Sequence, residues 1–206
     1  MFKQKLKYAL YTIGHPADGF YEIRHRGQGS VPLALLFVFL FGVCFSANRQ
    51  YAGFVVNFVN PMGINSFAEI LAVFVLFFLF CVGNWSITCL MNGEGRLKDI
   101  VTVCGYSMLP MILTFIPAII LSRFVVADEE AFYYLLMGFG IAWFLLLVLT
   151  GVMTVHNYTL GKTLLTIIFT FAAMLIIVFI AMLLYSLISQ VISFFISIYN
   201  ELMLRA

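Results

Sequence analysis

The chain has 206 residues, 64% of them hydrophobic and only 10% charged, with a mean hydropathy of +1.08. Soluble domains carry about a quarter charged residues, so this composition excludes a water-soluble fold. It predicts an all-α, polytopic membrane bundle, and at a net charge of +2 no nucleic-acid partner is expected.

The first thirty residues are read as a cytoplasmic, interfacial amphipathic segment, ahead of a membrane domain over 31–206. Phe2, Leu6, Ala9, Leu10 and Ile13 share one helical face, flanked by Lys3, Lys5 and Lys7. A helix of this kind lies in the interface with its lysines on anionic headgroups. Gly14-His15-Pro16 breaks it, and Pro16 suits the first turn of a second short helix carrying Phe20 and Ile23. Arg24-His25-Arg26 adds two further headgroup contacts, Arg24 and Arg26, before the turn Gly27-Gln28-Gly29-Ser30. The basic start runs into polar residues and not into a short apolar core with a cleavage site, so no cleavable signal peptide is expected.

Five apolar stretches follow, each long enough for a crossing of about 20 residues. They run over Val31–Asn48, Ile70–Asn92, Ile100–Ser122, Ala131–Val155, and from beyond Lys162 up to Glu201. The last is too long for a single crossing and predicts a helix that overruns the membrane or bends along its surface. Lys3, Lys5, Lys7, Arg24, Arg26, Arg96, Lys98 and Lys162 fall on one side, against Arg49, Arg123 and Arg205 on the other. The positive-inside rule then predicts a cytoplasmic N-terminus and an extracytoplasmic C-terminus, and the plasma membrane is the expected location.

Chemistry-bearing residues are scarce. Cys44, Cys81, Cys89 and Cys104 lie in or beside apolar runs without a C-x-x-C pair and read as apolar fillers. The spans contain Asn84, Thr88, Ser107 and Thr114 but no charged residue within the predicted limits. Transport paths and intramembrane catalytic centres are marked by such charges. No H-E-x-x-H, G-x-S-x-G or Walker A string occurs. Glu129-Glu130 lacks the arginine four residues on that a prenyl-protein endopeptidase site needs; Tyr134 stands there. His156-Asn157-Tyr158 near Lys162 is the one cluster an enzyme reading could use. No enzymatic activity, cofactor or metal site is expected.

Span three carries the most specific string, Gly105-Tyr106-Ser107-Met108-Leu109-Pro110. Pro110 and Pro117 each remove a backbone donor and predict a bent central helix. Gly105 permits close helix approach, and Tyr106 sits close to the inner interface. With the polar loop Asn92–Asp99 before it, the run His15-Pro16-x-x-x-Phe20-x-x-Ile23 and the five-span plan, the chain resembles the Ypt-interacting-protein (YIP) domain family. The resemblance implies a five-span fold and a non-enzymatic mode of action. Eukaryotic members interact with prenylated small GTPases, but this chain lacks their long acidic N-terminal region, so GTPase binding is not carried over.

In span five, Ser186, Ser189, Gln190, Ser193 and Ser197 fall on one stripe within bulky apolar flanks. Such a stripe packs against a partner helix or lies on the outer leaflet with its serines in water. The leading expectation is a scaffold or accessory subunit that assembles with other integral membrane proteins, in its concrete form a multisubunit (ABC-type) transporter permease. The alternatives are a small transporter or channel for an uncharged solute, lined by Asn84, Thr88, Tyr106 and Ser107, and a membrane-shaping, trafficking-type protein.

Overall fold

The computed structural model describes residues 2–205, with the side chains of residues 2–4, 202 and 205 outside the description. Among the described residues there are eight α-helices and no strand. They are α1 (Phe2–Gly14), α2 (Pro16–His25), α3 (Val31–Tyr51), α4 (Ser66–Leu90), α5 (Leu97–Ser107), α6 (Leu109–Leu121), α7 (Glu130–His156) and α8 (Leu160–Arg205). Five segments are long and apolar enough to cross a membrane: Val31–Tyr51, Ser66–Leu90, Leu97–Leu121, Ala127–His156 and Leu160–Glu201. These are the five predicted spans with shifted limits: the second and third begin earlier and stop short of the predicted Asn92 and Ser122, at Leu90 and Leu121. In α4 the Asn65 side chain caps Ala68 N–H. Glu69 thereby joins the first turn, where a negative charge suits the helix dipole, and pairs with Arg49 of α3 at 2.8 Å.

Span three is the axis of the bundle. In its most apolar stretch 72% is buried within the protein, against 11% for the fifth span. The predicted bend is a break at Met108 between α5 and α6, with Pro110 in the first turn of α6 and Pro117 inside it. Thr114 Oγ1 donates to the Pro110 carbonyl at 3.1 Å and ties off part of that turn. Gly105 brings α5 against α3: a Cβ there would stand 2.6 Å from Ala34 Cβ. Backbone approach of this kind is how small residues stabilise helix pairs where lipid removes the hydrophobic drive between helices.

The N-terminal helices are folded onto this axis. Ala9, Phe20 and Ile23 are buried in one apolar cluster with Phe37, Val103, Tyr106, Leu109, Leu147 and Val155. The buried side of α1 is the Tyr8–Ala9–Thr12 stripe, whereas Leu6 and Leu10 are exposed. Of the predicted Phe2–Leu6–Ala9–Leu10–Ile13 face, Ala9 and Ile13 pack inward while Leu6 and Leu10 do not, because the small residues of α1 meet α2: the Thr12 side chain fills the space a Cβ on Gly19 would occupy.

α1 and α2 form a helical hairpin around Gly14-His15-Pro16. α2 climbs parallel to α7, since Arg24 donates to the Val155 carbonyl and Trp143 Nε1 to the Ile13 carbonyl, at sequence separations of 131 and 130. Val155 is twelve residues beyond Trp143 on α7, so the hairpin follows α7 for about 18 Å.

Candidate functional site

Three regions hold the residues that could carry function: the core of span three, the end of the bundle where α2, α5, α7 and α8 meet, and the free end of α8.

Tyr106 is buried and packs edge-on against Phe37 at 5.5 Å. Its hydroxyl accepts from Ser30 N–H at 3.2 Å, so the ring reaches from the core to the start of α3. Gly105 and Tyr106 therefore fix α3 on α5, while Pro110 and Pro117 shape α6. The polar residues expected to line a solute path are engaged instead. Asn84 donates to Thr170 Oγ1 at 3.1 Å, and Ser107 returns its hydroxyl to the Val103 carbonyl at 2.9 Å. Thr88 bonds the Trp85 carbonyl, a turn back on its own helix. All four side chains are buried. The Asn84–Thr170 bond joins α4 to α8, and sequence alone did not pair them because 86 residues separate them.

At the end bearing most of the basic residues, a second set converges. Arg24 bridges the Val155 carbonyl and Glu94, the latter at 2.6 Å. Gly95 N–H donates to His156 Nδ1 at 3.2 Å, and neither Gly93 nor Gly95 could carry a Cβ without meeting the His156 ring. His156 stacks on Tyr158 at 5.4 Å, Tyr158 donates to the Met91 carbonyl at 3.1 Å, and Lys162 Nζ lies 4.0 Å over the Tyr158 ring. Burial pushes the Tyr158 phenol up, so it stays a donor.

The His156-Asn157-Tyr158-Lys162 cluster is thus brought together as a lock between the α4–α5 and α7–α8 turns, with Asn157 in the left-handed conformation that ends α7. Tyr21, Arg24, His25, Glu94, Asn157 and Tyr158 border a cavity of about 450 Å³ above it. Arg24 and Glu94 were not paired by the sequence; the glycines flanking Glu94 were the one available signal of a tight approach.

Of the residues read as headgroup contacts, Arg24 is spent inside the protein and Arg26 pairs with Glu22 at 3.3 Å. Lys7 is exposed, Lys5 is half-buried, and the Lys3 side chain lies outside the described residues. Burial and the nearby Glu22 push the Tyr8 phenol up, and its hydroxyl donates to the Gly19 carbonyl at 2.5 Å.

α8 is one helix of 46 residues, about 69 Å at 1.5 Å per residue. The Asn84–Thr170 bond and the Thr166–Met91 contact run in opposite senses along the two helices, so α8 is antiparallel to α4 where they pack. From Val178 to the end of α8 no described residue is buried and only Ser189 is half-buried, so about 42 Å of helix runs on without packing against the bundle. Leu187, Ile188, Val191, Phe194, Phe195 and Tyr199 are all exposed there. Ser186, Gln190, Ser193 and Ser197 are exposed and Ser189 half-buried, with Gln190 Nε2 donating to Ser186 Oγ at 3.2 Å. Nearer the joint α8 leans on α4 and away from α7, leaving an apolar cavity of about 480 Å³ with Phe77, Cys104 and Val148 among its lining.

No curated protein and no solved structure is significantly similar to the chain. A family model does match: the Yip1 domain, over residues 10–183.

Proposed function

The chain belongs to the Yip1 domain family, and on that premise we propose that it is a non-enzymatic scaffold or accessory subunit that assembles with another integral membrane protein through the free end of α8. The family match ends at residue 183, about where α8 leaves the bundle. The observation that carries the reading is the bare, apolar helix beyond that point. An exposed apolar surface of this size on a membrane protein is covered by lipid or by a partner. A helix continuing past the bundle is out of register with the bilayer that the other spans fit, which favours a partner. The serine stripe supplies small residues for close packing and hydroxyls for interhelical bonds. The excess of Lys and Arg at the N-terminal end supports a cytoplasmic N-terminus, with this helix on the extracytoplasmic side. A multisubunit permease is the concrete partner this reading favours.

The test is gentle purification from native membranes with an N-terminal tag. A stoichiometric membrane protein should accompany the natural chain and be lost from the S186L/S189L/S193L variant, with equal amounts of each inserted. Unchanged co-purification, or a natural chain that comes alone, defeats the proposal.

A further inference from the structure

Asp, Glu, Lys, Arg and His are kept out of the predicted spans: none occurs within 31–48, 70–92, 100–122, 131–155 or 163–200. The N-terminal hairpin departs from that rule. Trp143 is the middle residue of the 27-residue α7, and its indole meets the Ile13 carbonyl. The hairpin tip that follows, Gly14-His15-Pro16, therefore lies level with the middle of a membrane-spanning helix. Arg24, at the other end of α2, lies level with Val155, beside the His156–Lys162 joint that marks the membrane surface. His15 and Asp18 fall between those levels, and both are exposed.

The exposed side of the hairpin continues this pattern. Lys7 and Tyr11 on α1 and His15 just past its end recur every four residues, with the Tyr11 and His15 rings stacked at 4.5 Å. On α2, Asp18, Tyr21 and His25 follow at three and four residues, with Tyr21 stacked on His25 at 4.1 Å. All six are exposed. Tyrosine with its ring in an apolar layer and its hydroxyl in a wet one is the residue of the membrane–water interface. Here two such ladders descend from the surface to mid-bundle. Asp18 sits in the first turn of α2. No ion pair or hydrogen bond to its carboxylate is found among the described residues. An ionised carboxylate facing lipid tails is strongly disfavoured unless water or headgroups reach it.

We propose that the outer face of the α1–α2 hairpin is a hydrated track, along which the headgroup layer of the leaflet on the N-terminal side dips toward the level of Trp143. The ligand class is the phospholipid headgroup with its water: phosphates meet Lys7, and the polar tips of Tyr11, His15, Tyr21 and His25 line the descent. The hairpin is then a local thinning device in one leaflet, built from residues that the rest of the protein excludes from this depth.

The experiment uses the full chain in membrane vesicles open to reagent on both faces, with Cys44, Cys81, Cys89 and Cys104 replaced by alanine. Single cysteines are introduced as H15C, D18C, Q28C and L145C. Gln28 is in the exposed turn before α3, and Leu145 is exposed on α7 near the level of the tip. A membrane-impermeant maleimide should label H15C and D18C at a rate close to that of Q28C and should not label L145C. In parallel, I13C/W143C should be joined by a short bifunctional thiol reagent, which reports the hairpin docked at depth. Crosslinking together with labelling is the expected result. Crosslinking with H15C and D18C as protected as L145C overturns the track, because hydrocarbon then covers the hairpin. Absence of the crosslink overturns it as well, because the hairpin is then not at that depth.

Discussion

Arg24 shows how one residue can hold two elements that the sequence leaves unrelated. Its side chain is 15% exposed and serves the Val155 carbonyl and Glu94 together, whereas Glu94 is 58% exposed. Removing the arginine strands a carbonyl at the end of α7, while removing the glutamate deletes one half-solvated charge. Arg24→Ala should therefore cost about 1–3 kcal/mol of thermal stability in detergent, and Glu94→Ala under about 1 kcal/mol. Equal losses for the two variants would show that the ion pair, and not the carbonyl bond, holds α2 on α7. The sequence reading placed Arg24 on headgroups because its position after an amphipathic run looks the same whether the helix floats or docks. Only the partner, 131 residues away, distinguishes the two.

At the scale of elements, the predicted spans and their order were legible because a continuous apolar run has one physical outcome in lipid: a helix that satisfies its own backbone. The partners of each helix were not legible. α4 and α8 are joined through Asn84 and Thr170, and Gly83 lets the Thr170 backbone come close: a Cβ there would lie 3.4 Å from the Thr170 carbonyl oxygen. A double-mutant cycle of Asn84→Ala and Thr170→Ala should give a coupling of about 0.6 kcal/mol, the usual size for an interhelical bond in a membrane protein. A coupling indistinguishable from zero would mean that α8 is held on α4 by packing alone. The break at Met108 was signalled by Pro110; that it lies in the most buried span had only a faint signal, a mean hydropathy of 1.9 against 2.2 to 3.1 in the other four.

For the whole molecule, the free end of α8 is separable from the bundle it leaves. The described residues past Ile188 are exposed, apart from half-buried Ser189. Truncation after Ile188 should leave the melting temperature of the purified bundle unchanged while abolishing partner recovery. A clear fall in melting temperature would show that the end of α8 folds back on its own bundle. The same separation explains why the serine stripe was visible in the sequence: among the described residues it is exposed apart from half-buried Ser189, so its periodicity is undisturbed.

The sequence by itself determined the class, the five crossings, the overlong last helix and the family resemblance. Each follows from local properties: apolar run length, breaks at Gly and Pro, and short strings around Gly105 and Pro110. Tertiary structure alone decided that the N-terminal helices dock as a hairpin, that span three is the axis, and that His156, Tyr158 and Lys162 form a lock. The reason is the lipid environment. Where lipid and protein interiors are equally apolar, hydropathy no longer separates an outer face from a core, and which helices meet is set by small residues and by single hydrogen bonds between distant positions.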